Sequence, residues 1–168
     1  PKIFQMKKAT YLVIACLLIL NCKAQEPLTE FPEEVLNDAF VTLNGENISF
    51  KEILEKYKGQ TIFVDVWASW CKDCLEGLPS VKVLQAKHPE VDFVFLSLDK
   101  SQNAWKKGIN RLQINGDHYF MQSGWKGAMG TFLDLDWIPR YMIIDKQGGI
   151  KVFKAIKTSD ITLLNNLK

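Results

Sequence analysis

The sequence describes an α/β domain, a central mixed β-sheet with helices on both faces. Three features point there. Apolar, β-branched runs at Thr61 to Trp67, Val91 to Leu98 and Met142 to Asp145 alternate with stretches of helical periodicity. The first of these runs leads straight into Cys71-Lys72-Asp73-Cys74, where a helical pattern starts. The 168 residues, 47% hydrophobic and 24% charged, suit one ordinary globular core. Strands that alternate with helices imply right-handed crossovers and a sheet covered on both sides.

The N-terminal residues read as an export signal over 1–24. Lys7 and Lys8 precede an apolar run from Tyr11 to Leu20, followed by Asn21-Cys22-Lys23-Ala24. That run is about half of the ~20 residues a membrane-spanning helix needs. Two readings of its end stand. Cys22 resembles the lipid-modified cysteine of bacterial lipoproteins, although Asn21 replaces the usual small residue before it. Cleavage after Ala24 would instead release a soluble protein. Either way the expected location is outside the cytosol, periplasmic or tethered to a membrane, with no membrane contact beyond a lipid anchor. The formal charge of +2 is carried by the signal: without Lys2, Lys7, Lys8 and Lys23, 17 basic residues face 19 acidic ones. A mildly acidic body makes no case for nucleic acid.

Residues 25–38 read as a linker and 39–168 as the domain. Phe40 to Leu43 and Asn47 to Ser49 flank Asn44-Gly45 and form a short hairpin. Ser49 and Glu52 make a capping box for a helix over Phe50 to Tyr57, with Phe50, Ile53, Leu54 and Tyr57 on one face. Thr61 to Trp67 is apolar on both faces, as a central strand should be. Leu75, Leu78, Val81 and Leu84 continue a helix from Cys71 to about His88, with Pro79 inside it. A second buried strand closes at Asp99. Ser101 to Leu112 packs Trp105 and Ile109. Asp117 to Met121 is a weaker strand, and Gly124 to Gly130 a loop or short helix. Met142 to Asp145 and Ile150 to Lys154 pair around Lys146-Gln147-Gly148-Gly149. Thr158 or Ser159 caps a last helix, Asp160 to Leu167.

The chemistry concentrates at Cys71 and Cys74. Two thiols with two residues between them can close a small disulfide ring and open it again. If a helix begins at Cys71, its sulfur meets free backbone N–H groups and the positive end of the helix dipole. Both favour thiolate, the reactive form. Zinc sites use the same spacing, but His88 and His118 make no metal spacing with the pair, and no metal or cofactor is expected. A purely structural disulfide is disfavoured because so short a loop removes little chain entropy from the unfolded state.

Strand, Trp67-Ala68-Ser69-Trp70-Cys71-x-x-Cys74, Pro79 eight residues after the first cysteine, and Ile138-Pro139 before a strand together resemble the thioredoxin superfamily. Within it, the chain is similar to exported thiol–disulfide oxidoreductases of the TlpA/ResA type, from Phe40 to the C-terminus. The resemblance implies a thioredoxin-like fold and a set of roles. Cys71 would be the partly exposed attacking thiol, and Cys74, more buried, the resolving one. Asp65, where thioredoxin carries a buried acid, would accept or return the Cys74 proton; the sequence leaves open which side of the strand it faces. Pro139 would be cis and present the Ile138 backbone to an extended client. Trp70 would lie on the surface around the site and Trp67 in the packing beneath it. Trp137 would line a docking groove or pack. Lys72 and Asp73 replace the family's usual Gly-Pro or Pro-Pro, Lys72 lowering the Cys71 pKa and Asp73 raising it, which leaves the direction of electron flow open.

The implied partners are disulfide-bearing exported proteins and an upstream thiol electron donor, met by a monomer. Reduction of client disulfides is the leading function. The alternatives are an oxidase or isomerase, and a module that binds a metal or haem-linked partner through the same pair without turnover.

Overall fold

The computed structural model describes residues 29–167. The expected signal over 1–24 and Cys22 lie outside the described residues. In chain order the elements are α1 (Glu33–Leu36), β1 (Ala39–Thr42), β2 (Asn47–Ser49), α2 (Phe50–Lys56), β3 (Thr61–Trp67), α3 (Lys72–Lys87), β4 (Val91–Ser97), α4 (Gln102–Leu112), β5 (Asp117–Met121), a 3-10 turn (Gly124–Lys126), α5 (Ala128–Phe132), β6 (Arg140–Ile144), β7 (Ile150–Ala155) and α6 (Ile161–Asn165).

Seven strands form one mixed sheet in the order β2-β1-β5-β4-β3-β6-β7. β3, β4 and β5 run parallel, while β1 pairs antiparallel with β5 and β6 antiparallel with β3. β3 is thus flanked on both sides. Phe63, Val64, Asp65, Val66 and Trp67 are all buried, which requires cover on both faces.

The covers are distinct. On one face, the rings of Phe31 from the lead-in to α1, Phe50 from α2 and Phe132 from α5 meet Phe40 and Phe153 of the sheet. On the other face, Trp105 of α4 packs on Phe120, and α3 lies so close to β6 that a Cβ on Gly77 would meet the Tyr141 hydroxyl at 2.9 Å. Lys82 and Gln85 of α3 donate to the carbonyls of Leu112 and Asn115, joining α3 to the end of α4.

Local sequence sets the boundaries. The Ser49–Glu52 capping box is present: the Glu52 N–H donates to Ser49 Oγ at 3.2 Å, and the Ser49 N–H to Glu52 Oε2 at 2.8 Å. α3 runs on through Pro79.

Two expectations need correction. Within 25–38, read as a linker, α1 is folded onto the domain with Phe31 and Val35 in the core. Asp38, just after it, is buried and accepts from Ser123 Oγ (2.9 Å) and the Met129 N–H (2.8 Å), which ties this segment to α5. The last helix is capped not by Thr158 or Ser159 but by Asp160, whose carboxylate accepts the N–H groups of Thr162 and Leu163.

Candidate active site

The site grows out of the C-terminal end of β3. Seven residues of β3 pair with β4 and five with β6, so the strand is a stiff support for the turn that follows. That turn, Ala68-Ser69-Trp70, is held by Asp99 at the end of β4. The Asp99 carboxylate accepts the Ser69 hydroxyl (2.6 Å), the Ser69 N–H (3.1 Å) and the Ser97 hydroxyl (2.9 Å). Arg111 of α4 donates to the Ser69 carbonyl at 3.1 Å. A Cβ on Gly108 would strike the Ser69 Cβ at 2.4 Å, so only glycine lets α4 approach this turn.

Cys71 is the N-cap of α3, with extended backbone, and its Sγ accepts the N–H of Cys74 at 3.1 Å. A sulfur here takes up one of the helix's unpaired N–H groups and sits in the positive end of its dipole. The Cys71 and Cys74 sulfurs are joined as a disulfide, with Cα atoms 5.3 Å apart. The Ile138-Pro139 bond is cis, and the Ile138 carbonyl oxygen lies 3.5 Å from Cys71 Sγ. Pro139 and Ile138 are buried.

The exposure of the cysteines departs from expectation. Cys71 is 6% exposed and Cys74 7%, so the outer sulfur carrier is no more open than the inner one. The Ile138 carbonyl is one of the groups that lie against Cys71 Sγ. Around this tight centre stand exposed apolar groups: Trp70 at 51%, Trp137 at 62% and Ile156. Lys72 points to solvent and pairs with Glu76 at 3.6 Å. Asp73 accepts the Trp137 indole N–H at 3.0 Å. Trp67 is buried beneath the turn.

Asp65 faces α3. It stands opposite Tyr141 of β6 in the ladder, and paired residues share a face. Tyr141 reaches Gly77 of α3, so Asp65 lies on that side of the sheet. It is buried, its Oδ1 has no hydrogen-bond partner, and burial pushes its pKa up to about 8. Burial, and then the Asp65 charge, raises the Tyr141 phenol above its ordinary range. A carboxyl poised near neutrality beneath the dithiol helix can take or give a proton at working pH.

His118 lies away from the pair, stacked on Phe95 with its Nε2 facing the Ile114 carbonyl; burial, the larger effect, lowers its pKa. Among the described residues no group of three His, Cys, Asp or Glu side chains gathers, and no helix is long and apolar enough to cross a membrane. The sequence alone assigns no site role to Asp99, Ser69, Arg111 or Tyr141. For Asp99 a signal existed, an acid at the end of a buried strand, but nothing local named its partner thirty residues away.

Comparison with known proteins agrees with this geometry. A family model described as thioredoxin-like matches residues 59–150. The thiol-disulfide oxidoreductase ResA of Bacillus thuringiensis subsp. konkukian is 26% identical over 165 residues, 90% of each chain. A solution structure from Bacteroides vulgatus, described as a candidate thiol-disulfide oxidoreductase, is 30% identical and covers 83% of this chain and 86% of its own, with a TM-score of 0.59. The fold alone is shared at 18% identity with a thiol-disulfide oxidoreductase from Bacteroides fragilis, with a TM-score of 0.66 over 81% of this chain and 100% of the other.

Proposed function

This chain belongs to the thioredoxin-like family and is a thiol–disulfide oxidoreductase; we propose that it works reductively, on disulfide-bearing proteins outside the cytosol. One observation carries the chemistry: Cys71 Sγ caps α3 and is bonded to Cys74, so the same sulfur is stabilised as a thiolate and placed to be resolved.

The Cys71 thiolate attacks one sulfur of the client disulfide. An S–S bond forms between Cys71 and the client, and the client's own S–S bond breaks with its second sulfur leaving as thiolate. Cys74, giving its proton to Asp65 in its ionised form, then attacks Cys71 Sγ. The Cys71–Cys74 bond closes as the Cys71–client bond breaks with the client's first sulfur leaving as thiolate, and the two client thiolates take protons from water to depart as a dithiol. Two electrons have passed to the client, so an upstream thiol donor must return them. Ile138 presents its backbone to the client strand beside cis Pro139, and Trp70 and Trp137 flank the approach. The run of Lys7, Lys8 and the apolar residues that follow supports export, with Cys22 as the residue that would carry a lipid. Mass spectrometry of the mature protein distinguishes an acylated Cys22 from a start at Gln25.

The test is insulin reduction by the full chain with a thiol donor. Cys71→Ala should abolish turnover, and Cys74→Ala should accumulate mixed disulfides with clients. Full activity in Cys71→Ala would end this mechanism. A reduction potential above about −200 mV would assign an oxidase or isomerase instead.

A further inference from the structure

A groove of about 590 Å³ lies between α3, the cis-proline loop and the connection from β7 to α6; Asp73, which sits between the two cysteines in sequence, and Gly77, Trp137, Pro139 and Ile156 are among its walls. Its apolar side is Trp137, the most exposed aromatic ring of the site, together with Ile156. An indole standing free in water moves among rotamers and offers a client no fixed surface. Trp137 is held at both ends. Its Nε1–H donates to Asp73 Oδ2 at 3.0 Å, and its carbonyl accepts Arg140 Nη2 at 3.3 Å. The same guanidinium is braced by Asp136 at 2.7 Å.

Asp73 is the second of the two residues between the cysteines, where its charge is expected to act on the Cys71 thiol. Its carboxylate is engaged by the indole sixty-four residues away. We propose that Asp73 is a positioning residue for client docking: through Trp137 it fixes the apolar wall against which a side chain neighbouring the client's cysteine packs. This rests on the reductive reading above and gives it a specificity determinant, an apolar residue flanking the client cysteine.

The experiment is a double-mutant cycle on the full chain, with insulin as protein client and a small aromatic disulfide as a substrate that needs no groove. Asp73→Ala removes the acceptor, Trp137→Phe removes the donor but keeps an apolar ring, and Asp73→Asn removes the charge but keeps an acceptor. Asp73→Ala and Trp137→Phe should each raise the insulin KM roughly threefold to tenfold, with kcat much less affected. The double variant should be no worse than either single one, and Asp73→Asn should rescue the KM lost in Asp73→Ala. Effects that multiply, or an Asp73→Asn variant that behaves like Asp73→Ala, overturn the proposal in favour of a charge effect on the thiol. If wild-type protein reduces neither substrate, the reductive reading fails and takes this inference with it. If it reduces both while the cycle is additive, this inference alone is lost.

Discussion

Asp65 is the least comfortable side chain in the fold and the one with the clearest pH signature. An isolated carboxylate in an apolar layer is costly, and the protein meets that cost by keeping the proton. Burial moves the pKa from 3.8 to about 8 in the folded chain. Between those two values the unfolded chain has lost its proton and the folded chain retains it. Folding therefore binds a proton, and this contribution to stability falls as pH rises from about 4 to about 8, then levels off. Asp65→Asn has nearly the same shape and never ionises. In urea unfolding of the oxidised protein, the variant should match wild type within ~1 kcal/mol at pH 4 and exceed it by roughly 2–5 kcal/mol at pH 8. An offset that stays constant across pH would mean that Asp65 does not titrate in the folded interior as described. The same substitution should slow closure of the Cys71–Cys74 bond by about 10²-fold, the usual contribution of a positioned proton acceptor. Stability at high pH and turnover then move in opposite directions, as expected where a strained group is kept for its chemistry.

Between strand and helix, the turn Ala68-Ser69-Trp70 owes its shape to Asp99 rather than to its own sequence. Asp99→Ala deletes the acceptor for two hydroxyls and one N–H. It should cost about 3 kcal/mol in urea unfolding and lower insulin turnover, because the turn that delivers Cys71 to the start of α3 loses its anchor. Unchanged stability and turnover would show that Arg111 and the packing of Gly108 suffice. This network also marks where sequence reading stops. β3 and β4 were legible because both faces are apolar, the Ser49–Glu52 box because its partners are three residues apart, and the start of α3 because the strand ends at the cysteines. α1 falls inside the 25–38 linker that the sequence predicts: four helical residues after Pro32 carry no periodicity, and what holds them is Phe31 meeting Phe50 and Phe132 across the chain. The side that Asp65 faces was not legible, since a strand buried on both faces gives alternation nothing to distinguish. It follows only from the pairing with Tyr141. The even burial of the two cysteines was hidden for the same kind of reason, because a group that lies against Cys71, the Ile138 carbonyl, comes from sixty-seven residues away.

The sheet as a unit explains why a redox centre can open and close without loosening its support. The ion pairs of the surrounding helices and strands lie at least partly at the surface, where such pairs contribute little, so cohesion comes from the two apolar layers. Those layers are thickest over β3, β4 and β6, whose residues are almost all buried, and thinnest at β2, a three-residue edge strand with none buried. Stability should be graded accordingly, from strands that open only with the whole fold to edges that open alone. Native-state hydrogen exchange should find the slowest amides in β3 and β4, exchanging at the global unfolding free energy, and faster ones in the β1–β2 hairpin. The Cys71–Cys74 bond is a covalent link within one turn of α3, and neither cysteine belongs to the β3 ladder. Exchange in the first turn of α3 and in Ala68 to Trp70 should therefore rise on reduction, while β3 and β4 keep their protection relative to global unfolding. If reduction instead lowered protection in β3 relative to the global value, the strand would be part of the moving centre. The rigid platform inferred for Cys71 would then have to be abandoned.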